Sequence, residues 1–213
     1  MAGRNEKADQ LLEQAYSLKS DVEAKALYKE WAGTYDEAML GGLGYLTPMK
    51  TAELLTANLA DKNARILDIG SGTGLAGNEL SRLGFANLDA LDYSAEMLAE
   101  AAKRNIYNLL HEVDLTKPIS IESGTYEAMI CTGTFTHAHV GASCLDELFR
   151  ILKPGGVFAC TVHQDIWEPE GFEEKISQLE GAGIVKTVQR KLGIYFREAE
   201  EPEGWYILWE KLN

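Results

Sequence analysis

The chain has 213 residues, 46% of them hydrophobic, and a formal charge of −13, which suits one globular domain with enough core to fold alone. So acidic a chain argues against tracking nucleic-acid phosphates; the charge serves solubility at least as readily as it suits a neutral or cationic small molecule or a basic protein. No apolar run nears the length of a membrane span, no signal-peptide pattern opens the chain, and Cys131, Cys144 and Cys160 are too few and too scattered for a disulfide framework or metal site, so a cytosolic (cytoplasmic) setting is expected.

Residues 1–19 are charged and Ala-rich and read as a frayed helix or an appended tail. Ser20-Asp21-Val22-Glu23 is a capping box that opens a helix to about Ala32, with Gly33 placed to end it. Gly41-Gly42-Leu43-Gly44-Tyr45 reads as a mobile loop that brings Tyr45 to a substrate entrance. Thr47 as cap and Pro48 as first helical residue begin a helix to about Leu59. An apolar strand, Ala64 to Ile69, then breaks into Gly70-Ser71-Gly72-Thr73-Gly74, and a helix runs from Leu75 to Leu83, closed by Gly84.

A second strand spans Leu88 to Asp92, and Ser94 caps a helix through about Lys103. Strand three is Tyr107 to Val113, strand four Tyr126 to Cys131, and strand five Gly156 to Val162. Between the last two, a helix starts at Ala142 or Ser143, with Ser143-x-x-Asp146 as a weak cap, and ends at Leu152. Phe172 to Leu179 is a further helix. Ile184 to Phe196 and Trp205 to Leu212 are strands with no helix between them, which predicts an antiparallel hairpin at the edge of the sheet.

A strand, a glycine turn and a helix start together form a concave backbone surface that a ligand can approach closely. A carboxylate at the end of the next strand, Asp92, suits the hydroxyls of a ribose, so an adenosyl-type cofactor is expected. Gly72-Thr73-Gly74-Leu75-Ala76-Gly77 also fits a dinucleotide pattern. Asp68 decides against it, because an acid beside the turn would repel a pyrophosphate and favour a cofactor carrying an amino group and a sulfonium.

The frame Asp68-Ile-Gly-Ser-Gly-Thr-Gly74 resembles the first motif of class I S-adenosylmethionine methyltransferases. Asp92-Tyr93-Ser94-Ala95-Glu96-Met97-Leu98 and Leu152-Lys153-Pro154-Gly155-Gly156 resemble two further segments of that family, so the likeness runs from about Trp31 to Thr161. The Trp31…Tyr35-Asp36 entrance and the Leu-Gly-Tyr loop look most like the methyltransferase-like proteins named after the Williams–Beuren chromosome region. The resemblance implies an α/β fold: a Rossmann-like, doubly wound, seven-stranded sheet, mostly parallel, with the antiparallel C-terminal hairpin. Residues 1–213 would form one methyltransferase domain, with 1–45 a helical segment closing over the cofactor.

The same resemblance assigns roles. Asp68 and the amides of Gly70, Ser71, Gly72, Thr73 and Gly74 would face the methionine part of the cofactor. Asp92 would hold the ribose, Tyr93 and Met97 the faces of the adenine, with Ser94 beside them. Asp114, flanked by Val113 and Leu115, would accept from the adenine amino group. Cys131 and Thr132 would pass the sulfonium, and Tyr35 would close the cleft; Tyr28 and Trp31 are weaker candidates. A base is needed only where the acceptor must lose a proton, and His137, then His163 with Asp165, stand where one is required; His139 is a third candidate. No metal is expected, since His137-x-His139 with His163 lacks a supporting Cys or carboxylate spacing. The expected reaction is methyl transfer from S-adenosylmethionine, leaving S-adenosylhomocysteine. The acceptor would be a small molecule or, as second choice, a protein side chain. No nucleic-acid partner is expected, since Cys131-Thr-Gly-Thr134 is not the Asn/Asp-Pro-Pro-Tyr of amino-methylating DNA and glutamine enzymes and no basic, aromatic-interleaved stretch suggests RNA; without a long apolar run, no membrane partner is expected either. The rival readings are an NAD(P)-dependent oxidoreductase and a non-catalytic S-adenosylmethionine-binding module.

Overall fold

The computed structural model describes residues 31–137 and 140–213, together with Glu13, Gln14, Glu23, Leu27 and Lys29. Most of the helix expected over 20–32, with Tyr28, and also His139 lie outside the described residues.

Seven strands form one sheet: β1 (Ile66–Ile69), β2 (Leu88–Asp92), β3 (Tyr107–Glu112), β4 (Tyr126–Phe135), β5 (Leu152–His163), β6 (Val185–Gly193) and β7 (Gly204–Lys211). Their order is β3-β2-β1-β4-β5-β7-β6. Neighbours among β1 to β5 run parallel, whereas β7 lies antiparallel to both β5 and β6. This is the expected sheet with its reversed last strand. The strand order switches direction between β1 and β4, where doubly wound sheets open a crevice at the carboxyl ends.

Alternation along the strands divides the core. Ile66, Ala128, Ile130, Ala159 and Leu208 meet helices α1 (Thr47–Thr56) and α2 (Leu75–Arg82) through Leu55, Ala76 and Leu80. Leu67, Met129, Phe158, Cys160 and Trp209 share a cluster with α4 (Leu145–Ile151) and α5 (Phe172–Gly181). Period-two side-chain placement sends these two sets to opposite faces. Helix α3 (Ala95–Ala102) follows β2 and packs on β2 and β3. Ser94 caps it as expected, its hydroxyl accepting from Met97 N at 3.2 Å.

Four local expectations are corrected. Leu46, not Thr47, holds the cap position of α1, because Thr47 is drawn fully into the core. Ser143 caps nothing: a short 3-10 turn, Ala142–Cys144, precedes α4, and Ala142 N is tied to Glu170 O at 3.0 Å. Strand β4 continues past Cys131 to Phe135 through a shift in register with β5. Part of the expected loop at 41–45 is instead the end of a π-turn, Glu37–Gly42. This N-terminal piece rests on the C-terminal hairpin, where Trp31, Met39 and Leu43 cluster with Tyr195, Phe196 and Tyr206.

Candidate cofactor cleft

Strand β1 delivers the chain into a turn that needs glycine for two different reasons. At Gly70, φ is +59° and an added Cβ would lie 1.9 Å from Thr134 Oγ1, so neither the backbone nor the space admits a side chain. At Gly72, φ is +52° but nothing lies within 4 Å of where a Cβ would stand. The first glycine packs the turn onto β4; the second leaves bare backbone facing open space. Between them Ser71 N bonds Leu91 O at 3.0 Å, and the Ser71 hydroxyl is buried without a hydrogen-bond partner among the described residues.

Asp92 closes the turn from the side. Its carboxylate accepts from Gly72 N at 2.8 Å and Ser94 N at 2.9 Å. Burial pushes its pKa up, and the amides of Ser94, Gly72 and Tyr93 oppose the shift. Asp68 behaves differently from expectation. It is 2% exposed and turns under the glycine turn, accepting from Gly77 N at 2.9 Å and from the Tyr107 hydroxyl at 2.6 Å. Burial raises its pKa to about 7 against those two bonds. Its two donors come from α2 and β3, so it braces the turn from behind and does not line the cleft.

The cleft opens to solvent, with about 620 Å³ of unfilled space counting its mouth. Of the residues assigned from sequence, Tyr35, Gly70, Ser71, Gly72, Thr73, Asp92, Tyr93, Met97 and Thr132 line it. The others lie elsewhere. Gly74 is the cap of α2 and Ser94 that of α3. Cys131 is fully buried in the core, which drives its thiol pKa far up and leaves it inert. Val113 and Leu115 pack on the core. Asp114 is taken by its own loop, bonding Thr116 N at 2.9 Å and Lys117 Nζ at 2.8 Å, and Lys117 and Thr116 together hold its pKa at about 2.

Pro48, Leu75, Gly133 and Thr134 line the cleft unanticipated, the last two because β4 outruns its expected end. Tyr45 lines it too, as the entrance reading expects. Its ring lies 5.3 Å from that of Phe196, its hydroxyl faces Gly133, and burial raises its pKa to about 12. Asp36, next to Tyr35, pairs with Arg104 and accepts from the Thr73 hydroxyl at 2.5 Å, while Arg104 Nε donates to Thr73 O at 2.5 Å. The N-terminal segment is thereby clasped to the glycine turn.

Beyond Thr134 stand the histidines. The rings of His137 and His163 meet edge to face with centroids 4.8 Å apart, and neither lines the cleft itself. His163 is buried, which lowers its pKa against the opposing pull of Asp165. Among the described residues no helix is long and apolar enough to cross a membrane.

Comparison with known proteins agrees with this geometry. A family model described as a methyltransferase domain matches residues 67–160. Human Methyltransferase-like protein 27 is 31% identical over 80% of this chain and 71% of its own length. The Sterol 24-C-methyltransferase of Candida albicans is 30% identical over 71% of this chain, which spans 42% of that relative. Ubiquinone biosynthesis O-methyltransferase of Xanthomonas oryzae is 27% identical over 56% of this chain and 51% of its own. The fold is shared with a SAM-dependent methyltransferase from Aquifex aeolicus (TM-score 0.60, 18% identity, 87% and 98% of the two chains). It is shared also with the [4+2]-cyclase SpnF (TM-score 0.70, 16% identity, 91% and 96%).

Proposed function

Because the chain belongs to the class I S-adenosylmethionine-dependent methyltransferases, we propose that its cleft binds S-adenosylmethionine and that a small-molecule acceptor enters at the ends of β4 and β5. The observation that carries this reading is bare backbone at Gly72 set against the buried carboxylate of Asp92, with the partnerless Ser71 hydroxyl between them. Such a cradle suits a ribose and a polar tail. S-Adenosylmethionine supplies a methyl group on a positively charged sulfur and is left as neutral S-adenosylhomocysteine.

The protein's own work is alignment. Each Asp92 oxygen holds one amide and keeps a further lone pair for a ribose hydroxyl. Tyr93 and Met97 would flank the adenine, and Thr132 and the cleft-lining stretch Gly70 to Thr73 the amino-acid end. Tyr35 and Tyr45 would cover the cleft, restricting the acceptor to one approach. His137 and His163 are the catalytic candidates. Burial keeps His163 neutral near neutral pH, able to accept a proton from an acceptor that must lose one. The names of the sterol and ubiquinone relatives favour a small molecule. A single domain over 1–213, working in the cytosol, completes the reading.

Incubation with methyl-labelled S-adenosylmethionine and a cellular small-molecule extract tests it. Label should enter the small-molecule fraction, and His137→Ala should slow that transfer by about 100-fold while cofactor affinity holds. Label confined to protein, or none above the enzyme-free control, would overturn the proposal.

A further inference from the structure

His137, His163 and Asp165 form a cluster that cofactor binding does not use. Phe135 and Val162 are partners across β4 and β5, so both strands leave the sheet side by side, each reaching a histidine within two residues. Asp165 lies in the 3-10 turn Gln164–Ile166 that follows β5 and folds its carboxylate back toward both rings. Its Oδ2 stands 3.6 Å from His137 Nε2 and 3.7 Å from His163 Nδ1. One ligand atom from each of the three lies within 4.8 Å of the other two.

The orientation of His163 is fixed. Asp165 N donates to its Nδ1 at 3.3 Å, so that nitrogen is unprotonated, and its single lone pair is held by this long bond, which an ion would displace. A tetrahedral zinc-type ion, bonded to nitrogen and oxygen at about 2.0–2.2 Å, holds its ligands roughly 3.3–3.6 Å apart. The two separations to Asp165 lie within a few tenths of an ångström of that, whereas the three atoms together span up to 4.8 Å, so binding draws the imidazoles inward as well as the 60% exposed Asp165. Two imidazoles and one carboxylate with a position left open is a ligand set of catalytic zinc and related ions. The cluster also adjoins the cleft: Gly133, which lines it, donates to Thr161 Oγ1 at 3.2 Å, two residues before His163.

We propose that His137, His163 and Asp165 bind a zinc-class divalent cation at the β4–β5 end of the cleft, leaving an open position for an oxygen of the methyl acceptor. The sequence pairs His163 with Asp165 but places no third ligand beside them; the fold supplies His137 from the end of β4. The ion site stands on its own geometry, and only its role toward the acceptor rests on the methyltransferase reading. There the ion would draw charge from an acceptor hydroxyl and lower its pKa.

The test uses the full chain, freed of metal with a chelator and titrated calorimetrically with Zn²⁺, then with Co²⁺ read by its visible absorption. One ion per chain is expected, with the absorption of a nitrogen- and oxygen-ligated site. His137→Ala and Asp165→Asn should each weaken binding by more than about 10-fold, while Asp146→Asn, an exposed acid paired with Lys175, should bind like the native chain. S-Adenosylhomocysteine binding on the same samples shows that each variant is folded. No stoichiometric uptake, or equal uptake by both ligand variants, overturns the site. A chain that takes the ion but not S-adenosylhomocysteine keeps the site and loses its link to a methyl acceptor.

Discussion

Asp89 and Asp92 lie three residues apart on β2, both buried, and are held in opposite ways. Asp89 is held chiefly by side chains: Arg65 donates to it at 2.9 and 2.7 Å and Tyr126 at 3.0 Å, with one backbone amide, Leu109 N, at 3.1 Å. Asp92 meets backbone amides and borders the cleft. A carboxylate in the body of a sheet needs a counter-charge to be tolerated. One at the strand's carboxyl end is carried by amides, which neither neutralise it nor use up its lone pairs. The first holds the molecule together; the second is left able to bind.

The comparison breaks most visibly at the structural end. Asp89→Ala would strand a guanidinium and a phenol in the interior and should cost about 3–5 kcal/mol of stability, read as a lower denaturant midpoint. Below the unfolding transition, S-adenosylhomocysteine affinity should be unchanged. The glycine turn repeats the contrast on a smaller scale. Gly70→Ala adds the Thr134 clash to a strained φ and should lose about 2–5 kcal/mol of stability. Gly72→Ala carries only the conformational cost of about 1–2 kcal/mol, yet it places a methyl group in the cleft and should cut cofactor affinity the more sharply.

Asp68 sharpens the comparison through pH. Its folded pKa, about 7, is raised above the ordinary 3.8, so the folded state binds the proton more tightly than the unfolded. Its contribution to stability is fully present below about pH 4 and is lost as pH rises through 7. At roughly 1.4 kcal/mol per unit the change amounts to a few kcal/mol. Asp68→Asn, which keeps an acceptor for Gly77 and Tyr107, should flatten denaturation midpoints across that window. Asp92, shifted in the same direction, should leave a residual slope. The smallest effect belongs to the clasp. Asp36→Ala removes a half-exposed ion pair and should change stability by no more than about 1 kcal/mol, with a modest rise in the cofactor's dissociation rate.

What was legible in the sequence was whatever a short segment decides for itself. Strand β2, the Ser94 cap and the C-terminal hairpin follow from local pattern and appear where expected. Asp68 shows the limit. Sequence marks an acid at a strand end, but whether it faces the ligand or the core depends on Tyr107, which lies on another strand. Asp114 lies outside the cleft lining, its half-exposed carboxylate bonded to Thr116 and Lys117 of its own loop. Thr134 and Gly133 were hidden because the polar run Thr132-Gly133-Thr134 interrupts the apolar pattern of β4 before Phe135 resumes it. His137 joins His163 and Asp165 only once β4 and β5 are laid side by side.

The central claim is that the glycine turn and Asp92 hold S-adenosylmethionine. Calorimetric titration of the native chain and of Asp92→Ala, with S-adenosylhomocysteine and separately with NAD⁺, tests it most directly. Saturable binding of S-adenosylhomocysteine alone is expected, weakened in the variant by about 1–3 kcal/mol as charge-assisted hydrogen bonds go unmade. Binding of NAD⁺ instead, or equal affinity in the two proteins, would contradict it.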